Sequence, residues 1–253
     1  MIDAFFLDTE TIPCPSLPEG IIEAAKEKAK AARSVANKDF NKHLATDPDT
    51  AMICCAVGFD SASGQWFNFF AKDLESERKI LMVLWEVLIQ NWKVGRPLCT
   101  FNGKSFDVQL LQRRAMWQRV PISVKCANDL QNTRSDVLHI DLMLLEGVRT
   151  PFSSRPEFRG QDYMSTLIGC PPKPEGWDGS KVWPAFQAGM FEDIREYCKS
   201  DVRTMVDHFN FFAPWMLDFS LYPDSVQRSG EIIVRGEYDD FVGKIMSETE
   251  GGQ

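Results

Sequence analysis

The sequence predicts an α/β fold, a mixed sheet with helices packed against it. Three observations carry the expectation. Strand-like apolar stretches and helix-like periodic stretches alternate along the chain. Two early stretches, "MICCAVGFD" and "QWFNFFA", flank the turn "SASG" and read as a hairpin. With 253 residues, 44% hydrophobic and 25% charged, the chain has the length and composition of one large α/β domain or two small ones.

Element by element, residues 2–8 read as a buried strand, and Pro13, Pro15 and Pro18 then break the chain. From Glu19 to about Leu44 the composition turns to Ala, Lys and Glu, which suits one or two surface helices. After the hairpin, residues 75–92 open with a charged turn and continue with apolar residues at helical spacing. "PLCTF" reads as a short strand, with a helix beginning after Gly103. "SDVLHIDLM", around residue 140, reads as another strand. Residues 171–189 are rich in Pro, Gly and Trp and read as a loop, and 190–213 as a strongly periodic helix. The pattern weakens after Pro223, and "SETEGGQ" reads as a frayed tail.

Global properties narrow the function classes. A net charge of -8 argues against coating nucleic acid by bulk electrostatics, and leaves room for an enzyme that grips a few phosphates locally. Seven cysteines, an odd number with no CxxC pair, favour free thiols in a reducing compartment, the cytoplasm by default. No apolar run approaches the ~20 residues of a membrane span, and "MIDAFF" lacks the basic lead of a secretory signal.

Chemistry is suggested first by "FFLDTET", residues 5–11. Side chains two apart on a strand share a face, so Asp8 and Glu10 project together with roughly 6–7 Å between their stems. Like charges beside an apolar strand call for a cation, either a metal ion or a Lys or Arg; the alternative is a strand that ends here with both acids in water. In the helix of residues 190–213, a stripe through Ile194, Cys198, Met205 and Phe209 also passes through Asp201, with Tyr197 one turn before it. A plainer reading has Asp201 salt-bridged to Arg195 or Arg203. The fourth acid is Asp107, in the first turn after "CTFNGKSF", where a capping role is equally open. Asn102 and Gly103 allow close backbone approach to a ligand, and Lys104, Arg113, Arg114 and Arg119 add positive charge nearby in sequence. His43, His139 and His208 match no catalytic position, and Asp141 reads as the cap of a strand end or a bond to the neighbouring helix.

In order along the chain, Asp8-x-Glu10, Asn102-x3-Phe106-Asp107 and Tyr197-x3-Asp201 resemble the three motifs of the DEDD superfamily of 3′–5′ exonucleases. Tyr-x3-Asp matches the tyrosine subgroup; the histidine subgroup has His-x4-Asp, and position 196 is Glu. "DGSKVW" with the preceding "LIGCPPKPEGW" looks like the loop of a stand-alone branch related to the proofreading domain of family-B DNA polymerases. The resemblance spans about residues 1–215, an exonuclease domain with a helical insertion at about 19–47, and residues 216–253 form a C-terminal extension. It implies a ribonuclease H-like fold, with a five-stranded mixed sheet and helices on both faces. The insertion reads as a plain surface element ahead of an entrance-shaping or partner-docking one.

The resemblance also implies a mechanism. Four carboxylates make an oxygen-only site suited to two Mg²⁺ or Mn²⁺ ions. Asp8 would bridge both, Glu10 and Asp201 would bind the ion holding the attacking water, and Asp107 would help place the second. Tyr197, whose side chain ionises near pH ~10 when free, suits water orientation better than general base catalysis. Thr11 and Asn102 are candidates to bond the terminal nucleotide and Phe106 to stack near its base. Lys173, Trp177, Lys181 and Trp183 offer further contacts, although loops of this composition are more often ordered turns. The expected partner is a single-stranded nucleic-acid 3′ end, DNA ahead of RNA. A non-catalytic binding module of the same fold is the rival from another class.

Overall fold

The computed structural model describes residues 3–31, 40–132, 137–147, 160–171 and 176–213. The expected boundary near residue 215 and the C-terminal extension lie outside them. Five strands, β1 (Phe5–Pro13), β2 (Ala51–Asp60), β3 (Gln65–Phe70), β4 (Leu98–Thr100) and β5 (His139–Asp141), form one sheet in the order β3-β2-β1-β4-β5. β2 pairs antiparallel with β1 and β3, while β4 pairs parallel with β1 and β5. The hairpin is there, and β1 lies at the centre.

Nine α-helices are found among the described residues: α1 (Glu19–Ala31), α2 (Phe40–Thr46), α3 (Leu74–Lys93), α4 (Asp107–Trp117), α5 (Val124–Gln131), α6 (Leu142–Glu146), α7 (Gln161–Ile168), α8 (Val182–Gln187) and α9 (Phe191–Phe212). Alternation along β1 sorts them onto two faces. Phe6 points to α9, meeting Phe209 edge to face at 5.4 Å. Phe5 points the other way and meets Phe67 at 5.7 Å. The helix on that second face, α3, buries Ile80, Leu81, Leu84, Trp85 and Leu88. Each such side chain contributes about 1.5–3 kcal/mol of transfer free energy. Trp85 also donates its indole N–H to the Leu111 carbonyl (3.2 Å), tying α3 to α4.

One polar cluster sits inside this core. Glu77 of α3 accepts from Arg114 Nη2 of α4 (2.6 Å) and Gln118 (2.8 Å), and from the backbone N–H of Ile53 (2.9 Å). The register of β1 against β2 shifts between Glu10 and Thr11, a bulge that leaves Cys54 opposite no residue of β1. Glu77 thus satisfies a strand amide just past the irregularity.

The structure corrects several expectations. β1 runs to Pro13, not to residue 8, because β2 pairs with it along its whole length, so Asp8 and Glu10 lie mid-strand. What ends early is the other neighbour: β4 pairs with β1 only at Phe5 and Phe6. The acids therefore lie beyond the point where β4 stops pairing, along the strand rather than at its end. Helix α4 begins at Asp107, after a turned segment, rather than straight after Gly103. The stretch read as loop from 171 contains a 3-10 turn (Gly179–Lys181) and α8, whose Pro184 sits in the first turn where its missing N–H costs nothing. The insertion is not wholly superficial: α2 packs on β1, β2 and α8, burying Leu44 and Ala45.

Candidate active site

Along β1, Asp8 and Glu10 face α9, and Thr9 between them faces α4. That alternation organises the site. On the α9 side, Cys198 donates its thiol to Asp8 Oδ2 at 3.3 Å. Potential ligand atoms of Asp8, Glu10 and Cys198 all fall within 4.8 Å of one another. Burial, with hydrogen bonding to Cys55 and the charges of Asp8 and Glu10, pushes the Cys198 thiol well above its ordinary range. It therefore acts as a protonated donor to Asp8, and the anionic donors of the trio are oxygens.

On the same helix, Tyr197 adjoins Cys198 and Asp201 lies about a turn further on; both are buried and hydrogen-bonded to each other. Burial first, then the charges of Asp201, Glu10 and Asp8, push the tyrosine hydroxyl far above its normal ionisation. The phenol stays protonated. Its ring lies against Trp177, stacked at 5.5 Å and 24°. Arg195 and Arg203, the alternative partners suggested for Asp201, pair with Glu192 (2.9 Å) and Glu196 (3.6 Å) on the outer surface of α9.

Asp107 reaches the strand from the opposite face. Its Oδ1 accepts the Thr9 hydroxyl at 2.5 Å. Burial raises its carboxyl to about 6, against the opposing pull of the Thr9 hydrogen bond. Asp107 and Asp201 stand outside the tight trio, and the third member there is Cys198, which reads from sequence only as part of the core stripe. The signal for it was spacing: Cys198 and Asp201, three apart on one helix, share a face.

The segment carrying Asp107 is held rigidly. Asp141 accepts the backbone N–H groups of Asn102 (2.8 Å) and Lys104 (3.0 Å), and that of Met143 (3.2 Å) in the helix that follows it, so it bonds the neighbouring helix and the turn before α4 together. Asn102 takes a left-handed φ of 67°, which its short polar side chain tolerates. A Cβ on Gly103 would come 2.2 Å from Thr100 Oγ1, so only glycine fits there. Thr100 in turn meets His139 Nε2 at 2.7 Å, and the other ring nitrogen of His139 meets the Leu130 carbonyl at 2.6 Å. A carbonyl only accepts, so Nδ1 carries the proton and Nε2 takes the threonine hydroxyl. Burial drops His139 to about 3, consistent with that neutral ring.

Beside Glu10 opens a cleft of about 510 Å³, lined by Thr9, Thr11 and Phe106, by Ala45 and Thr46 of α2, and by Asp178, Gly179, Ser180, Trp183 and Pro184. Thr11 donates its hydroxyl to the Ala45 carbonyl at 2.5 Å, anchoring α2. Of the expected substrate contacts, Thr11, Phe106 and Trp183 border this cleft; Trp177 is engaged with Tyr197, and Lys181 is exposed. Asn102 is not among the cleft's lining residues, and Lys173 lies outside the described residues. Two of the sequence-nearby cations are engaged by acids outside the site: Arg114 is buried on Glu77, and Arg113 pairs with Asp49 at 2.9 Å.

A central strand bearing two acids, flanked by acids from α4 and α9, defines an α/β fold of the ribonuclease H-like type with a carboxylate-rich centre. The chain belongs to a family described as "Predicted 3'-5' exonuclease related to the exonuclease domain of PolB", matched over residues 41–212. A comparison with curated proteins finds no match. Among solved structures, the chain is similar to the family B DNA polymerase from the hyperthermophilic archaeon Pyrobaculum calidifontis, at 14% identity and a TM-score of 0.53. That match covers 99% of this chain and 30% of the polymerase, and it speaks for the fold. No helix among the described residues is long and apolar enough to cross a membrane.

Proposed function

We propose that the protein is a metal-dependent 3′–5′ exonuclease acting on single-stranded DNA ends. The observation that carries this reading is the convergence of Asp8 and Glu10, on the stretch of β1 beyond its pairing with β4, with Asp201 and Tyr197 on one side and Asp107 on the other. The donors fit hard divalent ions: carboxylate oxygens from three segments, with the Cys198 sulfur protonated. Asp8, Glu10, Asp107 and Asp201 would hold two Mg²⁺ or Mn²⁺ ions. Such ions supply charge neutralisation at the phosphate and a water acidic enough to attack it near neutral pH.

The chain's own residues do the rest. Cys198 fixes the carboxylate of Asp8, and Thr9 fixes that of Asp107. Tyr197, kept protonated by burial and by the surrounding acids, orients the attacking water with its hydroxyl rather than removing a proton. Thr11 and Phe106 border the space beside Glu10 where a strand terminus fits.

The test is hydrolysis of end-labelled single-stranded DNA and RNA, compared side by side with Mn²⁺, with chelator, and with Asp8→Asn. Stepwise shortening from the 3′ end that chelator and substitution both abolish is the expected result, faster on DNA. Activity that survives both overturns the chemistry, and faster cutting of RNA reassigns the substrate.

A further inference from the structure

The β3 side of the sheet carries a row of rings and cations. β3 is the last strand of the sheet on that side, and its Trp66 and Phe70, four residues apart, share one face. Helix α9 packs against β3 and carries Arg195, Lys199 and Arg203 at four-residue spacing along one side. Eight residues of helix span about 12 Å and four of strand about 13 Å, so the two elements stay in step. Arg195 lies over Phe70 at 5.4 Å, and Lys199 and Arg203 lie over Trp66 at 5.6 and 5.7 Å. Lys72, just past β3, extends the row over Phe191 at 4.8 Å.

These cations are ordered and still reachable. The side chains of Arg195, Lys199 and Arg203 are 41%, 25% and 52% exposed, and the rings beneath them are half-buried. A charged stem laid on an aromatic face has given up rotamers before any ligand arrives. Their acidic partners are exposed too: Glu192 meets Arg195 at 2.9 Å, and Glu196 is shared by Lys199 and Arg203 at 3.6 Å each. Exposed ion pairs contribute about 0–1 kcal/mol, so a phosphate can take the place of either carboxylate. One end of the row adjoins the candidate active site. Phe70 and Phe191 meet Phe186 of α8 at 6.0 and 5.5 Å, and Phe186 stacks on Trp183, which borders the cleft.

We infer that the cations along α9 and β3 form a phosphate track for the part of a nucleic-acid strand that lies upstream of its 3′ end. This deepens the exonuclease reading and rests on it. With the 3′ end at the acids of β1, the following nucleotides leave past Trp183 and Phe186 and cross the β3 side of the sheet. Phosphates recur once per nucleotide whatever the base, and the cations recur along α9, so the grip is independent of sequence. Because the cations already lie over the rings, the rings order the cations instead of stacking bases.

The experiment measures equilibrium binding, by fluorescence anisotropy over a salt series, of single-stranded DNA whose linkages resist hydrolysis. Two lengths are compared, a tetranucleotide that fills the site alone and a strand of about fifteen nucleotides. Wild-type protein should bind the longer strand more tightly and lose it more steeply in salt. Lys199→Gln combined with Arg203→Gln should weaken the longer strand about tenfold at low salt and lower its salt slope by roughly 1–1.5, about 0.7 for each phosphate contact. Binding of the tetranucleotide should stay as in the wild type, which also shows that the fold is intact. Glu196→Gln, which frees both cations, should tighten the longer strand. Equal loss on both lengths, or no loss on the longer one, overturns the track. So does a double variant that keeps the longer strand but loses a polyglutamate peptide, which would give the row to an acidic protein. Wild-type protein that binds neither strand would instead sink the nuclease reading itself, so the two failures are told apart.

Discussion

Thr9 donates its hydroxyl to Asp107 at 2.5 Å, across 98 residues of sequence and from the opposite face of β1 to Asp8 and Glu10. The bond ties the start of α4 to the strand that carries the other acids. Thr9→Val keeps the shape and removes the donor, leaving a buried carboxylate short of a hydrogen bond. The expected cost near neutral pH is about 1–3 kcal/mol in urea denaturation, together with slower hydrolysis. Thr9→Ser should restore both. Wild-type behaviour of Thr9→Val would show that Asp107 is placed by its own helix.

The raised carboxyl of Asp107 makes a pH prediction with a definite sign. Its folded-state value, about 6, stands above the ordinary 3.8, with burial as the main cause. The folded protein binds that proton more tightly than the unfolded chain does. The stability it confers is present below the unfolded value and is lost as pH rises through about 6, by roughly 3 kcal/mol at most. Asp107→Asn cannot ionise. In chelator, the stability of Asp107→Asn relative to wild type should therefore grow between pH 4 and pH 7 and level off above. A flat difference would place Asp107 in water.

Local pattern made part of this legible, and distance hid the rest. Alternation on one strand was enough to put Asp8 and Glu10 on a common face, and helical spacing was enough to pair Tyr197 with Asp201. The turn "SASG" announced the β2–β3 hairpin because its residues need no distant partner. The length of β1 was not legible, since Pro13 reads as a breaker until β2 is known to run beside it. Nor was the point along β1 where β4 stops pairing. The partners of Asp107 and Asp141 lie tens of residues away, and Cys198 looks like any core cysteine until its thiol is seen against Asp8. Helix α2 looked like surface because its tie to Thr11 runs through a backbone carbonyl, which no side-chain pattern reveals.

The buried pair Arg114–Glu77 offers a test of the scaffold away from the acids. Both side chains are almost wholly buried, and Glu77 also holds the Ile53 amide next to the bulge in β2. Arg114→Met leaves a carboxylate in the core without its cation, and an expected cost of about 3–5 kcal/mol follows. Adding Glu77→Gln removes the stranded charge while keeping an acceptor for Ile53, so the double variant should be more stable than Arg114→Met alone. Denaturant titration of the wild type and the two variants decides it. A double variant no better than the single one would show that the cost is lost packing of the arginine stem.

Tyr197→Phe isolates a single hydroxyl. The ring can keep its stack on Trp177, and α9 keeps its packing, so thermal stability should change by no more than about 1.5 kcal/mol, the usual worth of one hydrogen bond. Asp201 loses a donor but keeps its place on the helix, so Mn²⁺ affinity measured by calorimetry should stay within a few-fold of wild type. Hydrolysis should slow by about 10²-fold or more if the hydroxyl positions the attacking water, with the loss in kcat rather than KM. Because the phenol is held protonated by burial and by three nearby acids, no tyrosine ionisation should appear in the rate–pH profile of the wild type. A Tyr197→Phe variant that cuts at the wild-type rate would reduce Tyr197 to a packing residue, and one that loses Mn²⁺ binding outright would make it a support for Asp201 instead.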